Sequence, residues 1–360
     1  MTVAQLPKYE QVKRSLIAEI EAGQWSPGVA IPSEAQLLQR FAVSRPTLVR
    51  SLQDLVREGY LFRRQGKGTF VAERSGRETN GQSHRSVPVF TARHHGSSVG
   101  SPSELLIGLL RGIQSVLGPA HFDLALRYPT MGSVDEETAL YLDKSEPGIA
   151  LMIEPSFLPE LRDDLLRRGW MVWSVNEPWP EGNSVYIDQE RSAYLATRYL
   201  IERRNCRRIA LLNGPHEDYW GFVAKGRGYR EALAESNIEF DRRLVRNARH
   251  VIDTEAGRSM MRSLLQEGVE MDGVVGASDS KAIGAVAAAK EAGISVPDQL
   301  SVIGIDDIFA AHCNPPLPSV ALPFEDVGRR AAEEALRYSA DPAPRASAVE
   351  VRLKPTLVDR

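Results

Sequence analysis

From Val87 onward, short apolar runs rich in β-branched residues alternate with helical patterns, and this alternation restricts the fold more than any other feature. Val87-Pro88-Val89-Phe90 precedes a predicted helix over 104–117, and Phe122-Asp123-Leu124-Ala125-Leu126 precedes a helical segment near 134–142. Strand-like runs follow at 148–153, 171–175, 208–212, 273–275 and 300–305. Helical spacing lies near 158–168, 193–203, 226–236, 256–268 and 281–292. Strand–helix alternation makes doubly wound parallel sheets, which bind ligands at the carboxyl ends of their strands. About 270 residues is long for one such sheet, so two α/β lobes with a cleft between them are expected. Polar groups gather where the strands end: Glu154, Asn176 and Glu177 with Trp179 close behind, Asn213, Ser278 and Asp279, and Asp306-Asp307. Donors, acceptors and an aromatic plate suit a polyhydroxylated ligand, although Asp279 and Asp307 could equally cap the helices that follow them.

The first 74 residues read differently. Val12, Leu16, Ile17 and Ile20 keep helical spacing. Ser33-Glu34-Ala35-Gln36 fits a capping box and opens a second helix with Leu37, Leu38 and Phe41 on its apolar face. After a turn at Ala42-Val43, Ser44 precedes a third helix striped by Leu48, Leu52, Leu55 and Val56. Strand-like 60–64 and 69–72, joined by Gln65-Gly66-Lys67-Gly68, form a hairpin with a basic tip. Helix, helix-turn-helix and hairpin is the winged-helix order, with Ser44, Arg45 and Thr47 at the end of the third helix that enters a groove. Arg45 can reach guanine O6 and N7 with both arms of its guanidinium, and Lys67 between glycines can approach a groove closely. Charge agrees: residues 1–77 carry 12 basic and 7 acidic side chains, a balance of +5, and the remainder sums to −8. Residues 75–86, with no apolar side chain, read as a linker.

The head resembles the GntR family of bacterial transcription regulators through Ile31-Pro32-Ser33-Glu34, residues 41–47, Leu52-Gln53-Asp54-Leu55 and residues 65–71. That resemblance implies DNA contacts by Ser44, Arg45, Thr47, Gly66 and Lys67, and the full set expected at the interface adds Ser33, Pro46, Arg50 and Gly68. Where the family often has arginine, this chain has Ala35 and Val49. Arg50, one position along, is rotated by ~100° and need not replace the missing contact. The body resembles the LacI/GalR family of sugar-responsive repressors, through Val185-Tyr186-Ile187-Asp188, residues 225–230, residues 277–284, Ser301-Val302-Ile303-Gly304-Ile305-Asp306-Asp307 and the tail 353–358. This resemblance implies a periplasmic-binding-protein-like fold with three crossings between lobes, lobe one over 87–187 plus 320–342 and lobe two over 188–319 plus 343–360. It implies effector contacts by Ser101, Ser103, Glu154, Asn176, Lys225 and Asp279. Lysine stands at 225 where relatives usually have arginine, a point charge instead of a planar fork.

No catalytic set emerges. Gly66-Lys67-Gly68 lacks the rest of a phosphate loop, Gly96-Ser97-Ser98-Val99-Gly100 has elbow spacing without the strand-to-helix context, and His94-His95 has no carboxylate at metal spacing. Cys206 and Cys313 are too few for a disulfide framework or a thiolate zinc cage. The longest apolar runs fall short of the ~18–20 residues of a membrane span, and the first residues lack a signal-peptide layout. The expectation is a cytoplasmic, homodimeric, α/β transcription regulator without enzyme activity, cofactor or metal, with operator DNA and a sugar-like effector as partners. The competing reading is a ligand-independent DNA-binding protein whose body only dimerises or recruits a partner.

Overall fold

The computed structural model describes residues 8–21, 24–26, 28–57, 60–64, 68–72, 85–92, 104–131, 134–214, 219–248, 254–340 and 348–360. The chain forms two compact units, within residues 1–83 and 84–360.

In the first unit α1 (Lys8–Glu21), α2 (Glu34–Phe41) and α3 (Arg45–Arg57) precede the antiparallel pair β1 (Leu61–Arg64) and β2 (Gly68–Val71). Ser33 accepts from the Gln36 amide while the Gln36 side chain accepts from the Ser33 amide, the reciprocal cap that starts α2. Ala42 takes a left-handed conformation that ends α2 and turns the chain into α3. Ala30 bridges to Phe70, adding a third short stretch to the hairpin. The apolar stripes meet in one core of Val12, Leu16, Ile31, Leu37, Leu48, Leu52, Leu55, Leu61 and Val71. Burying one such leucine contributes about 1.5–3 kcal/mol, so this small core depends on every helix supplying its face.

The second unit contains two six-stranded sheets. Lobe one orders its strands β13-β7-β6-β5-β3-β4, all parallel. They are β3 (Arg85–Thr91), β4 (Phe122–Arg127), β5 (Ile149–Ile153), β6 (Met171–Val175), β7 (Asn183–Ile187) and β13 (Glu350–Leu353). Its helices are α4 (Glu104–Leu117), α5 (Glu136–Lys144), α6 (Pro159–Arg167) and α11 (Phe324–Ala340). The unbroken apolar run of β5 follows from burial on both sides: Ile149, Leu151 and Ile153 face the core shared with α4 and α11, and Ala150 and Met152 face the core under α6. Helices α4 and α11 touch backbone to backbone. A Cβ at Gly112 would stand 1.9 Å from the Glu325 carbonyl oxygen, and one at Gly328 2.0 Å from that of Leu109.

Lobe two orders its strands β14-β12-β11-β10-β8-β9. They are β8 (Ile209–Asn213), β9 (Val245–Asn247), β10 (Gly273–Gly276), β11 (Ser301–Asp306), β12 (Ser319–Ala321) and β14 (Thr356–Val358), of which β14 alone runs antiparallel to its neighbour. Helices α7 (Gln189–Arg204), α8 (Trp220–Glu235), α9 (Thr254–Gln266) and α10 (Asp279–Glu291) accompany it. The chain passes between the sheets after Ile187, after Ala321 and after Leu353.

Three expected boundaries are corrected. Residues 343–360 do not all join lobe two, because β13 pairs with β7 of lobe one from Glu350↔Ser184 to Leu353↔Ile187, and only β14 lies in the lobe-two sheet. Val320 and Ala321 belong to β12 in lobe two, so the return to lobe one begins after them. Arg85 and Ser86, expected in the linker, are the first residues of β3; residues 75–84 of that segment lie outside the described residues.

Candidate functional site

In the first unit the start of α3 presents Ser44, Arg45 and Pro46 as exposed residues, with Thr47 half-buried behind them. The Ser44 and Thr47 hydroxyls share a hydrogen bond of 2.7 Å. The Arg45 side chain is 77% exposed and stands 3.8 Å from Glu34, which also lies 3.9 Å from Arg63. One glutamate thus loosely holds two arginines on the exposed face, and such pairs contribute little to stability. Arg50 is exposed as well, and its guanidinium lies 3.9 Å over the Tyr9 ring of α1. Ser33 is engaged in the α2 cap. Gly68 opens β2 with φ +119°, a conformation that favours glycine. Gly66 and Lys67, like Ser101 and Ser103 of the effector set, lie outside the described residues.

In the second unit the chain ends of β5, β6 and β11 carry Glu154, Asn176, Asp306 and Asp307, all with positive φ despite having side chains. Residues held in this region are uncommon, and their clustering at strand ends marks a strained rim. Asn176 is fully buried; its Nδ2 donates to Glu154 Oε1 at 3.0 Å, and its Oδ1 has no hydrogen-bond partner among the described residues. The Tyr219 hydroxyl, at the start of α8 in lobe two, donates to the same Glu154 oxygen at 2.7 Å. Its ring stacks on Phe157 of lobe one, 5.9 Å between centroids and 4° from parallel, and Trp220 sets its edge against Tyr186 of β7 at 5.6 Å. The lobes are therefore joined across the cleft by aromatic faces and one acidic acceptor. Burial, helped by Glu154, pushes the Tyr219 hydroxyl well above its ordinary value, so it remains a donor. Burial also raises the neighbouring Glu177 carboxyl, which accepts from the Ser156 amide at 2.9 Å.

Lys225 enters the cleft from α8. It is buried, donates to the Ala277 carbonyl at 3.1 Å and lies 5.1 Å over the Phe222 ring. Burial brings it down to about 8, against the pull of Asp306 and Glu154. Asp306 is driven well above the carboxylate range by burial and by Asp279, with Lys225 opposing. Asp279 behaves differently from its neighbours. Fully buried, it accepts from the Phe309 and Ala310 amides at 2.9 Å each and from the Ser319 hydroxyl at 2.6 Å, which ties α10 to the turn after β11 and to β12. Both of its oxygens are committed to the scaffold. Trp179, the expected aromatic plate, packs on the core of lobe one beneath Arg162. The aromatic rings that do span the cleft, Phe157 and Tyr219, were not singled out in the sequence, where the run Tyr219-Trp220-Gly221-Phe222 was the available signal.

A winged helix-turn-helix followed by a two-lobed α/β clamshell defines a class, the effector-controlled transcription regulators. Residues 8–71 match the family of bacterial regulatory proteins of gntR type, and residues 184–360 match the periplasmic binding protein-like domain. The arabinose metabolism transcriptional repressor of Geobacillus stearothermophilus is 27% identical over 345 residues, covering 91% of this chain and 90% of the repressor. The transcriptional repressor PurR of Vibrio atlanticus is 30% identical over 258 residues, 69% of this chain and 75% of PurR. Among solved structures, that of the regulator CelR in complex with cellobiose superposes with a TM-score of 0.66 at 25% identity, covering 88% of this chain and 91% of CelR. The chain belongs to this family of bacterial transcriptional regulators with a periplasmic-binding-protein-like body, and its head is of gntR type. Relatives and fold alike are those of regulators and not of enzymes. Among the described residues no helix is long and apolar enough to cross a membrane.

Proposed function

We propose that the protein is a cytoplasmic, homodimeric repressor that leaves or holds a palindromic operator according to a sugar or sugar derivative bound between its lobes. In this reading Ser44, Arg45 and Thr47, with the wing residues Gly66, Lys67 and Gly68, face the DNA. Glu154, Asn176 and Lys225, with Asp306, face the effector; Ser101 and Ser103 complete that set, and Asp279 supports it from behind. The observation that carries the proposal is the pair of half-buried Glu154 and buried Asn176, which offers a ligand rich in hydroxyl groups an acceptor now held by Tyr219 and a carbonyl, Asn176 Oδ1, that has no partner among the described residues. The cellobiose complex of CelR and the arabinose repressor support the same ligand class. Two winged helices in successive major grooves would require half-sites ~10 bp apart, or a multiple of it, and the two-fold axis makes them symmetric.

The test is operator affinity, by fluorescence anisotropy on the promoter fragment of the protein's own gene, against a panel of pentoses, hexoses and disaccharides. One sugar is expected to change the affinity by ~1–3 kcal/mol of coupling, and a response to none of them would favour a body that only dimerises. The buried ammonium adds a pH signature. Lys225 keeps its proton below about 8 and loses it above. Sugar affinity should therefore fall between about pH 7 and about pH 9, while Lys225→Arg, charged throughout that range, should abolish the fall. An identical alkaline loss in the arginine variant would take Lys225 out of the contact.

A further inference from the structure

Lobe two contains a second cavity, of about 650 Å³, between α8, strand β8 and the edge strand β9. Arg230, Arg242 and Arg246 line it together with Asn213, Tyr229 and Phe240. Arg246 is compensated by Glu267 at 2.5 Å. Arg230 lies 5.1 Å over the Phe240 ring, which supports the guanidinium plane without neutralising it. Among the described residues neither Arg230 nor Arg242 pairs with a carboxylate, and the nearby Asp241 is taken by Arg243. The cavity is thus a cationic pocket with two planar forks that no carboxylate of the described residues pairs, the geometry that matches a phosphoryl group. Deeper in, Asn213 is fully buried. Its Nδ2 donates to the Phe222 carbonyl at 3.0 Å, which settles the amide orientation and leaves Oδ1 as a buried acceptor with no donor among the described residues.

We propose that this cavity is a second ligand site, distinct from the cleft, for a small phosphorylated polyol: its phosphoryl group held by Arg230 and Arg242, and a hydroxyl donating to Asn213 Oδ1. The size suits a small metabolite. The site is joined to the cleft through α8. Gly226 lines the cavity one residue after Lys225, and the Phe222 held by Asn213 lies beneath the Lys225 ammonium. Occupancy here therefore biases the residues that receive the effector.

The site is read in full-length protein with neither DNA nor sugar present, so the outcome is independent of the sugar-responsive reading. Calorimetric titration with glycerol 3-phosphate or ribose 5-phosphate is expected to saturate, with inorganic phosphate binding more weakly. Arg242→Gln and Arg230→Gln, both exposed positions, should each weaken the organic phosphate by about tenfold or more, as loss of a charge-assisted contact does. Arg45→Ala in the head should leave the titration unchanged. The proposal is overturned if neither organic phosphate saturates, if the two glutamine variants bind as the parent does, or if inorganic phosphate binds as tightly as the esters, which would mark an adventitious ion only.

Discussion

Asp279→Ala is expected to lower the unfolding free energy of the protein by about 3–5 kcal/mol, the scale of stripping one member from a buried, charged hydrogen-bond set. The carboxylate receives two backbone amides and one hydroxyl at 2.6–2.9 Å, and it has no exposed surface through which water could replace them. Alanine leaves the Phe309 and Ala310 amides and the Ser319 hydroxyl buried without their acceptor, each a separate cost. The packing allows no easy substitute, since a Cβ at Gly304 would already stand 2.2 Å from Asp279 Oδ1. Urea unfolding measures the loss, and the folded fraction of the variant should still bind operator. A loss below about 1 kcal/mol accompanied by an abolished sugar response would return Asp279 to direct ligand contact.

The same residue shows where sequence reading stops. Ser278-Asp279 after a β-run looks alike whether the aspartate faces a ligand or braces the fold, because the deciding partners Phe309, Ala310 and Ser319 lie 30 to 40 residues away in the chain. Local signals fared well. The Ser33/Gln36 cap lies within four consecutive residues, and the five apolar residues of β5 state by themselves that both faces are covered. Strand β13 is the opposite case. Glu350-Val351-Arg352-Leu353 alternates exposed and half-buried side chains at a sheet edge, and nothing in those four residues says which lobe supplies the partner β7. The start of α8 was hidden for another reason. Trp220-Gly221-Phe222-Val223 are poor helix formers, and tertiary contacts, Trp220 on Tyr186 and Phe222 beneath Lys225, hold them helical.

The head offers the cleanest separation of recognition from stability. Arg45 stands almost free at the start of α3, its one ion pair among the described residues a loose 3.8 Å approach to Glu34, so the fold makes little use of it. Arg45→Ala should accordingly unfold within about 0.5 kcal/mol of the parent, the usual range for such surface positions. Operator affinity should nevertheless fall by ~1–3 kcal/mol, about 5- to 150-fold, with much less change on random duplex, because a bidentate arginine carries base discrimination and not only charge. Arg45→Lys separates the two contributions: it restores the charge without the planar fork, so it should recover random-duplex affinity while leaving the preference for operator impaired. Arg50→Ala provides the contrast within the same helix. Its guanidinium is spent on the Tyr9 ring at 3.9 Å, so the loss should appear in thermal stability and not in operator preference. All four proteins must be compared at one salt concentration, since phosphate contacts alone change affinity steeply with salt. An Arg45→Ala protein that still prefers operator over random duplex as the parent does would remove this residue from base recognition and shift the readout to the hydroxyl pair Ser44–Thr47.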